Sequence, residues 1–336
     1  MKNPLNKRLP REFRKDFGKY LVIFLLLVIT IGFVSGFLVA DGSMIKAYNE
    51  GVDKYNTENG HFRTSEKMND AQIQSIEENG IRIYDNFYLE QDLTNDSTMR
   101  IFESRDQVNL ACLMEGEFPK AANEIAIDRM YADNNKVKVG DKIRVGDKEF
   151  KVSGLVALSD FSALYSDNND LMFDAVLFGV AIVKDDVFEA FDHNISYSYV
   201  WKYRNEPVNE TKEKKMSDKF LEKMVKDVYM VQNNVEIYIP RYQNNAIQFT
   251  GDDIGGDQSM MLVLLYILIV IMAFVFAVTI NHTITREAAV IGTLRASGYT
   301  RTELIRHYIF LPIMVSLVAA VIGNILGYLS LIHISE

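Results

Sequence analysis

The chain has 336 residues, 48% hydrophobic and 24% charged, with a formal net charge of −9. Its single cysteine, Cys112, excludes an intramolecular disulfide. The acidity argues against nucleic acid or an anionic lipid surface as the partner of its polar part.

The apolar residues fall into three blocks. Residues 1–19 come first and are basic, with Lys2, Lys7, Arg8, Arg11, Arg14, Lys15 and Lys19 against Glu12 and Asp16. The first apolar block, 20–40, has the length of about 20 residues that a helix needs to cross roughly 30 Å of hydrocarbon. It is longer than a signal-peptide core and lacks a clean small-x-small cleavage site, so it reads as an uncleaved anchor. Residues 42–59 continue its helical pattern outward. Asn69 or Asp70 can cap a short helix that Gly80 ends.

Strand-like alternation follows. Ile81 to Leu89 leads to a turn at Thr94-Asn-Asp-Ser97, and Met99 to Glu103 reads as the return strand. Leu110-Ala-Cys112-Leu-Met114 is a further run in which Cys112 reads as buried packing. Glu124 to Asp128 is a strand, and Lys136 to Val145 alternates around a Gly140-Asp141 turn. Gly146-Asp147 turns into Phe150 to Val156. Such turns between alternating apolar residues specify antiparallel hairpins. Asp174 to Val183 and Ser196 to Tyr203 are further strands. Residues 209–228 form an amphipathic helix with Met216, Phe220, Leu221, Met224 and Val228 on one face. A last strand, Val235 to Ile239, precedes Gly251-Asp-Asp-Ile-Gly-Gly-Asp257, a glycine-rich loop that reads as a hinge.

The second block, 259–281, and the third, 308–328, are again long enough to span. Between them, residues 282–307 are polar. Thr285 can cap a helix from Arg286 to about Ser297, Gly298 can end it, and Thr300-x-x-Glu303 forms a capping box that starts the next helix. The last eight residues, Leu329 to Glu336, match in translation a transposon-end adapter used in sequencing libraries. They are read as an artefact of a fragmentary gene, with no role for His333 and a fourth span expected in the authentic protein.

Charge orients the spans. Basic flanks stay cytoplasmic, which puts 1–19 and 282–307 inside and 41–258 outside. The outside segment holds 25 Lys and Arg against 40 Asp and Glu. The expected organisation is a multi-pass protein of the cell membrane with a mixed α+β extracytoplasmic domain, large enough for its own core.

Sequence motifs for chemistry are missing. There is no Gly-x-x-x-x-Gly-Lys-Ser/Thr phosphate loop and no His-Glu-x-x-His. His61, His193, His282 and His307 are unpaired at metal-ligand spacing. Asp167, Asp170 and Asp174 lack the glycine and terminal glutamate of an EF-hand and read as exposed loop acidity. Tyr197, Tyr199, Trp201 and Tyr203 recur at spacing two, as one face of a strand on a core or as an aromatic strip facing a ligand. The chain is expected to be no enzyme, with no metal and no cofactor of its own.

In the polar loop the sequence reads Glu287-Ala-Ala-Val-Ile291-Gly292-Thr-Leu294-Arg295-Ala296-Ser-Gly298. With Glu115-Gly116-Glu-Phe118-Pro119, Glu124 to Asp128 and Val137-Lys-Val-Gly140-Asp141 in the preceding domain, it resembles the FtsX-like permease family of ABC transporters, of the MacB and lipoprotein-releasing type. The resemblance implies a MacB-like core domain outside and a non-catalytic membrane subunit driven by a separate ATPase, which would bind the ATP. It implies a coupling helix at 286–298 that docks on that ATPase through Glu287, Ile291, Gly292, Leu294, Arg295, Ala296 and Gly298. Arg295 would meet acidic residues, and Ile291 and Leu294 would form the apolar anchor. A second permease copy or half, the bilayer and an extracytoplasmic substrate of unread identity are the other implied partners. The alternatives are a division-type regulator of a cell-wall hydrolase and a membrane sensor receptor, which would carry a long heptad helix after the second span.

Overall fold

The computed structural model describes residues 4–77, 80–191, 195–229 and 233–332. His193 and residues 333–336, the end of the segment read as adapter-derived, lie outside them. The chain opens with α1 (Leu9–Lys15), α2 (Phe17–Lys54), β1 (Gly60–Thr64) and α3 (Asp70–Glu77). Next come β2 (Ile81–Asp85), β3 (Tyr88–Asp92), β4 (Thr98–Phe102), β5 (Ala111–Gly116), β6 (Glu124–Asp128) and α4 (Arg129–Asn135). They are followed by β7 (Lys142–Val145), β8 (Lys148–Leu158), β9 (Phe178–Ile182), α5 (Asp185–Glu189), β10 (Tyr197–Tyr203), α6 (Glu210–Tyr229) and β11 (Val235–Pro240). The chain closes with α7 (Asn245–Arg286), α8 (Ala288–Ala296) and α9 (Arg301–Ile332).

Two compact units result, one of residues Ala47–Asp252 and one of Met1–Lys46 with Asp253–Glu336. The first is mixed α+β. A four-stranded antiparallel sheet has the order β11-β1-β10-β2, and a seven-stranded sheet runs β3-β4-β9-β6-β8-β5 with β7 paired to β8. The second sheet departs from the all-hairpin expectation, because β4 pairs with β9 and β6 with β8 in parallel. Parallel strands need both faces covered, and β6 and β9 are buried along nearly their whole length. Ile81 to Leu89 also divides at Asn86-Phe87: β2 joins β10 in one sheet while β3 pairs with β4 in the other.

Local chemistry explains several boundaries. Gln72 N donates to Asn69 Oδ1 (3.0 Å) and Asn69 N to Gln72 Oε1 (2.8 Å), a reciprocal cap at the start of α3. Asp128 caps α4 through Met130 N and Tyr131 N. Lys136 ends that helix in the left-handed region at φ 58°. The first half of the expected Lys136–Val145 strand is therefore a helix terminus and turn. The aromatic strand resolves as core: Tyr199, Trp201 and Tyr203 are buried, and Phe62 and Phe220 pack on them. Cys112 is only half-buried on the edge strand β5, beside exposed Leu113 and Met114. Its strand lies at the rim of the sheet, so the buried position expected for it does not exist.

The glycine-rich stretch 251–257 is not a loop. It is helical within α7. A Cβ on Gly251 would lie 3.0 Å from Cε1 of Tyr48, whose hydroxyl donates to Ile247 O at 3.1 Å. Close approach of that ring, not hinge freedom, accounts for this glycine.

In the other unit, α2, α7 and α9 are long and apolar enough to cross a membrane, with window hydropathies of 2.9, 3.2 and 2.4. Tyr20, Ile23, Leu27, Val28, Met272, Val315 and Ala319 are their shared buried contacts. The backbones of α2 and α9 come together at two glycine pairs. A Cβ on Gly32 would lie 3.2 Å from Gly323 O, and one on Gly327 would lie 2.6 Å from Gly32 O and 2.8 Å from Gly36 N. Both helices present Gly-x-x-x-Gly, which lets membrane helices approach closely.

Candidate functional site

The polar loop is built by three helix ends. α7 continues through Thr285, whose hydroxyl donates back to Asn281 O (3.0 Å), so Thr285 does not cap the next helix as its residue type suggested. A hydroxyl in a helix interior satisfies itself on the preceding turn. The break falls at Glu287, and α8 occupies Ala288–Ala296, inside the 286–298 range expected for it. Tyr299 N donates to Leu294 O (3.2 Å) and Gly298 N to Arg295 O (3.1 Å), with Gly298 at φ 96°. That is the left-handed termination glycine permits. Thr300 and Glu303 then form the expected capping box: Thr300 N donates to Glu303 Oε2 (2.9 Å) and Glu303 N to Thr300 Oγ1 (3.3 Å).

Among the residues of the loop motif, Gly292, Arg295, Ala296 and Gly298 are exposed, while Ile291 and Leu294 are half-buried. α8 has no buried residue, and its Val290 is exposed. Arg295 turns back to donate to Tyr299 O (3.2 Å) through Nη1, which ties its guanidinium across the C-terminus of α8. The apolar and cationic groups of the helix are thus presented without a covering element from the described residues.

Glu287 stands apart from the others. Its carboxylate lies 3.3 Å from Arg8 Nη2 and 3.4 Å from Lys15 Nζ, with its side chain 12% exposed. Next to it, Arg286 pairs with Asp16. Lys19 Nζ donates to Thr283 Oγ1 (2.6 Å) and Thr279 O (3.3 Å). On the entry to α9, His307 Nε2 lies 2.9 Å from Glu12 Oε2, with His307 itself buried. The basic N-terminal segment therefore holds both ends of the loop, a role that charge counting along the sequence did not assign to it. The signal was present as alternating charge on α1, but its partner lay some 270 residues away.

These contacts set the charges. Burial opposes ionisation of Glu12, yet the hydrogen bond and charge of His307, with the charge of Arg8, outweigh it and hold the carboxyl below its ordinary range. The hydrogen bond from Arg286 does the same for Asp16 against a smaller cost of burial. Both carboxylates are therefore anionic at neutral pH. Exposed ion pairs contribute only about 0–1 kcal/mol each, but several between two short elements fix their mutual position.

Among the described residues no group of three or more His, Cys, Asp or Glu could hold a metal ion. Asp167, Asp170 and Asp174 accept hydrogen bonds within their own turns, from Asn169, Ser166 and Val176 among others.

Residues 262–335 match the family described as FtsX-like permease C-terminal. The matched segment takes in the apolar length of α7, all of α8 and α9. A comparison with curated proteins found no match. Among solved structures, the periplasmic region of MacB from Actinobacillus actinomycetemcomitans is similar at 9% identity and a TM-score of 0.29. That likeness covers 49% of this chain and 84% of the other.

Proposed function

With residues 262–335 those of an FtsX-like permease, we propose that the chain is the membrane subunit of an ABC-type transporter whose ATP is bound and hydrolysed by a separate ATPase. The observation that carries the reading is α8: a nine-residue helix with no buried residue, closed at one end by Gly298 and the Thr300 capping box. At the other end its ion-paired Glu287 fixes it to the N-terminal segment. A short helix held at both ends transmits displacement with little slack. Its exposed Val290 and half-buried Ile291 and Leu294 offer an apolar anchor, and Gly292 lets a partner approach the backbone.

In this reading Glu287 is not a docking residue. It braces the lever from behind through Arg8 and Lys15, while Ile291, Gly292, Leu294, Arg295 and Ala296 form the docking face. ATP-driven closure of the partner would move α8 and with it α7 and α9, the helices it joins. The bilayer, a second permease copy or half, and an extracytoplasmic substrate complete the proposed assembly. The N-terminus and α8 would lie in the cytoplasm and residues 41–258 outside.

The test is partner-stimulated ATP hydrolysis. Leu294→Asp is expected to abolish co-purification of the ATPase and its stimulation, while Glu287→Gln leaves co-purification intact and lowers stimulation. Retained coupling in Leu294→Asp would remove α8 from the interface. The sensor-receptor reading, which required a long heptad helix after the second span, has no such helix to rest on: α8 ends at Ala296 and the apolar α9 follows.

A further inference from the structure

The α+β unit contains a cleft of about 430 Å³ lined from both of its sheets. Its volume falls in the range of small-molecule sites, roughly 300–1,000 Å³. On β1 the burial alternates, so Phe62 and Thr64 point into the core while His61 and Arg63 line the cleft. Arg100 of β4 and Tyr88 of β3 line it from the other sheet. His61 and Arg63 sit on β1, Gly60–Thr64, which has too few apolar residues to show alternation.

The cleft rests on a buried charged network. Glu58, 1% exposed, accepts from Asn109 Nδ2 (2.7 Å) and lies 2.6 Å from His61 Nδ1. Burial works against its charge, but His61, Asn109 and Arg105 together hold it anionic. Asp160, on the cleft wall, takes Arg105 Nη1 at 2.6 Å with both side chains 5% exposed. Buried ion pairs are weak evidence for stability, so a network of this kind calls for another use.

The hydrogen-bonding capacity left over in the cleft belongs to its cations. Arg63 uses Nε on Glu236 (2.9 Å) and Nη1 on the Tyr88 hydroxyl (3.0 Å). Arg100 uses Nε and Nη2 on Glu90 and Nη2 on Ser166 O (2.7 Å), and its guanidinium lies 4.5 Å from the Tyr88 ring centre. Among the described residues none accepts from Arg63 Nη2 or Arg100 Nη1, and none pairs with His61 Nε2. The carboxylates are engaged instead: Asp160 by Arg105, Asp167 by Asn169, and Glu236 by Arg63. Glu236 and Glu90 are the more solvent-exposed members of their pairs, each with its side chain 43% exposed against 28% for Arg63 and 15% for Arg100.

We infer that this cleft binds a phosphate monoester of head-group size, its oxygens held by Arg63, Arg100 and His61 in exchange for Glu236 and Glu90. Two open arginine N–H groups suit two terminal oxygens of a phosphate monoester, and His61 Nε2, opposite an Nδ1 that donates to Glu58, can accept from the third where that oxygen carries a proton, a pattern a carboxylate would not complete. Arginine forks held in place by a carboxylate and an aromatic ring are pre-organised for such an anion. Tyr88, Phe161 and Tyr165 give the carbon part of the solute apolar wall. The inference rests on the α+β unit alone and stands or falls independently of ATPase coupling.

The whole chain in nanodiscs of zwitterionic lipid, titrated calorimetrically with glucose 1-phosphate and separately with dihexanoyl phosphatidic acid, tests it. Saturable binding of either is expected, and which one binds distinguishes a free solute from a lipid head group. Arg63→Gln and Arg100→Gln are each expected to weaken binding roughly tenfold, the loss of one charge-assisted contact. Glu236→Gln should tighten it by freeing Arg63, a gain that misfolding cannot mimic. Arg144→Gln, exposed on β7 outside the cleft, should bind as the parent does. Absence of saturation with both probes would overturn the site, as would Arg63→Gln and Glu236→Gln variants that bind with unchanged affinity.

Discussion

Asp128 shows how a single side chain can serve structure at a cost. It is 1% exposed and caps α4, but burial, only partly offset by its hydrogen bonds from Tyr131 and Met130, pushes its carboxyl up to about 6 from 3.8. Between about pH 4 and 6 the folded chain therefore holds a proton that the unfolded chain has lost. Stability then falls as pH rises through that window, and the cost is complete above it. Asp128→Asn keeps the capping oxygen without the charge. It should stabilise the chain at pH 7 by about 1 kcal/mol, below the ceiling of roughly 3 kcal/mol that the shift allows, and lose that advantage near pH 4. Thermal unfolding in detergent at the two pH values measures it, and a variant less stable at pH 7 would contradict the argument. At this scale, short-range chemistry was legible: Asn69, Thr300 and Glu303 cap as their spacing suggests. Thr285 has the residue type of a cap, but its hydroxyl serves a helix interior, which such a side chain does as readily. The ion partners of Glu12, Asp16 and Glu287 were not legible, since nothing local encodes a contact across hundreds of residues.

Among elements, the long helices and amphipathic α6 followed directly from apolar length and period, and most strands from alternation. The elements missed are short and polar, such as β1, or begin at a buried cap, such as α4. The parallel pairings β4–β9 and β6–β8 were invisible because alternation fixes a strand's faces but not its neighbours. The packing of α2 on α9 was readable in principle, through Gly32-x-x-x-Gly36 and Gly323-x-x-x-Gly327. Ser35 Oγ donates to Asn324 Oδ1 at 2.9 Å between them. In a Cys112→Ser background, Ser35→Cys with Asn324→Cys should therefore cross-link under mild oxidation. Adding Gly327→Leu should abolish the cross-link, because its side chain would meet the backbone of Gly32 and Gly36. Overpacking of this kind costs about 1–3 kcal/mol. Gly42→Leu, with open space around its Cβ, should leave it unchanged. Persistence of the cross-link in Gly327→Leu would mean that the two glycine pairs do not set the approach of these helices.

For the molecule as a whole, the proposal depends on which side of the membrane each polar part occupies. Residues 1–19 and 282–307 are both net basic, and Arg8, Lys15 and Arg286 tie them to one another. In the proposed topology the two segments share a side, and their basic excess would assign that side to the cytoplasm. With α2 and α7 each crossing once, as proposed, the α+β unit would lie outside, where its acidic excess would meet no anionic inner leaflet. Two positions report this without disturbing packing. Leu171 is 98% exposed in the α+β unit, and Gly292 on α8 has open space around its Cβ. With Cys112 replaced by serine, Leu171→Cys should react with a membrane-impermeant maleimide in intact cells. Gly292→Cys should react only after the membrane is permeabilised. The reverse pattern would place α8 away from any cytoplasmic ATPase, and the coupling proposal would fail with it even if the helix itself were as stiff and as well capped as it is.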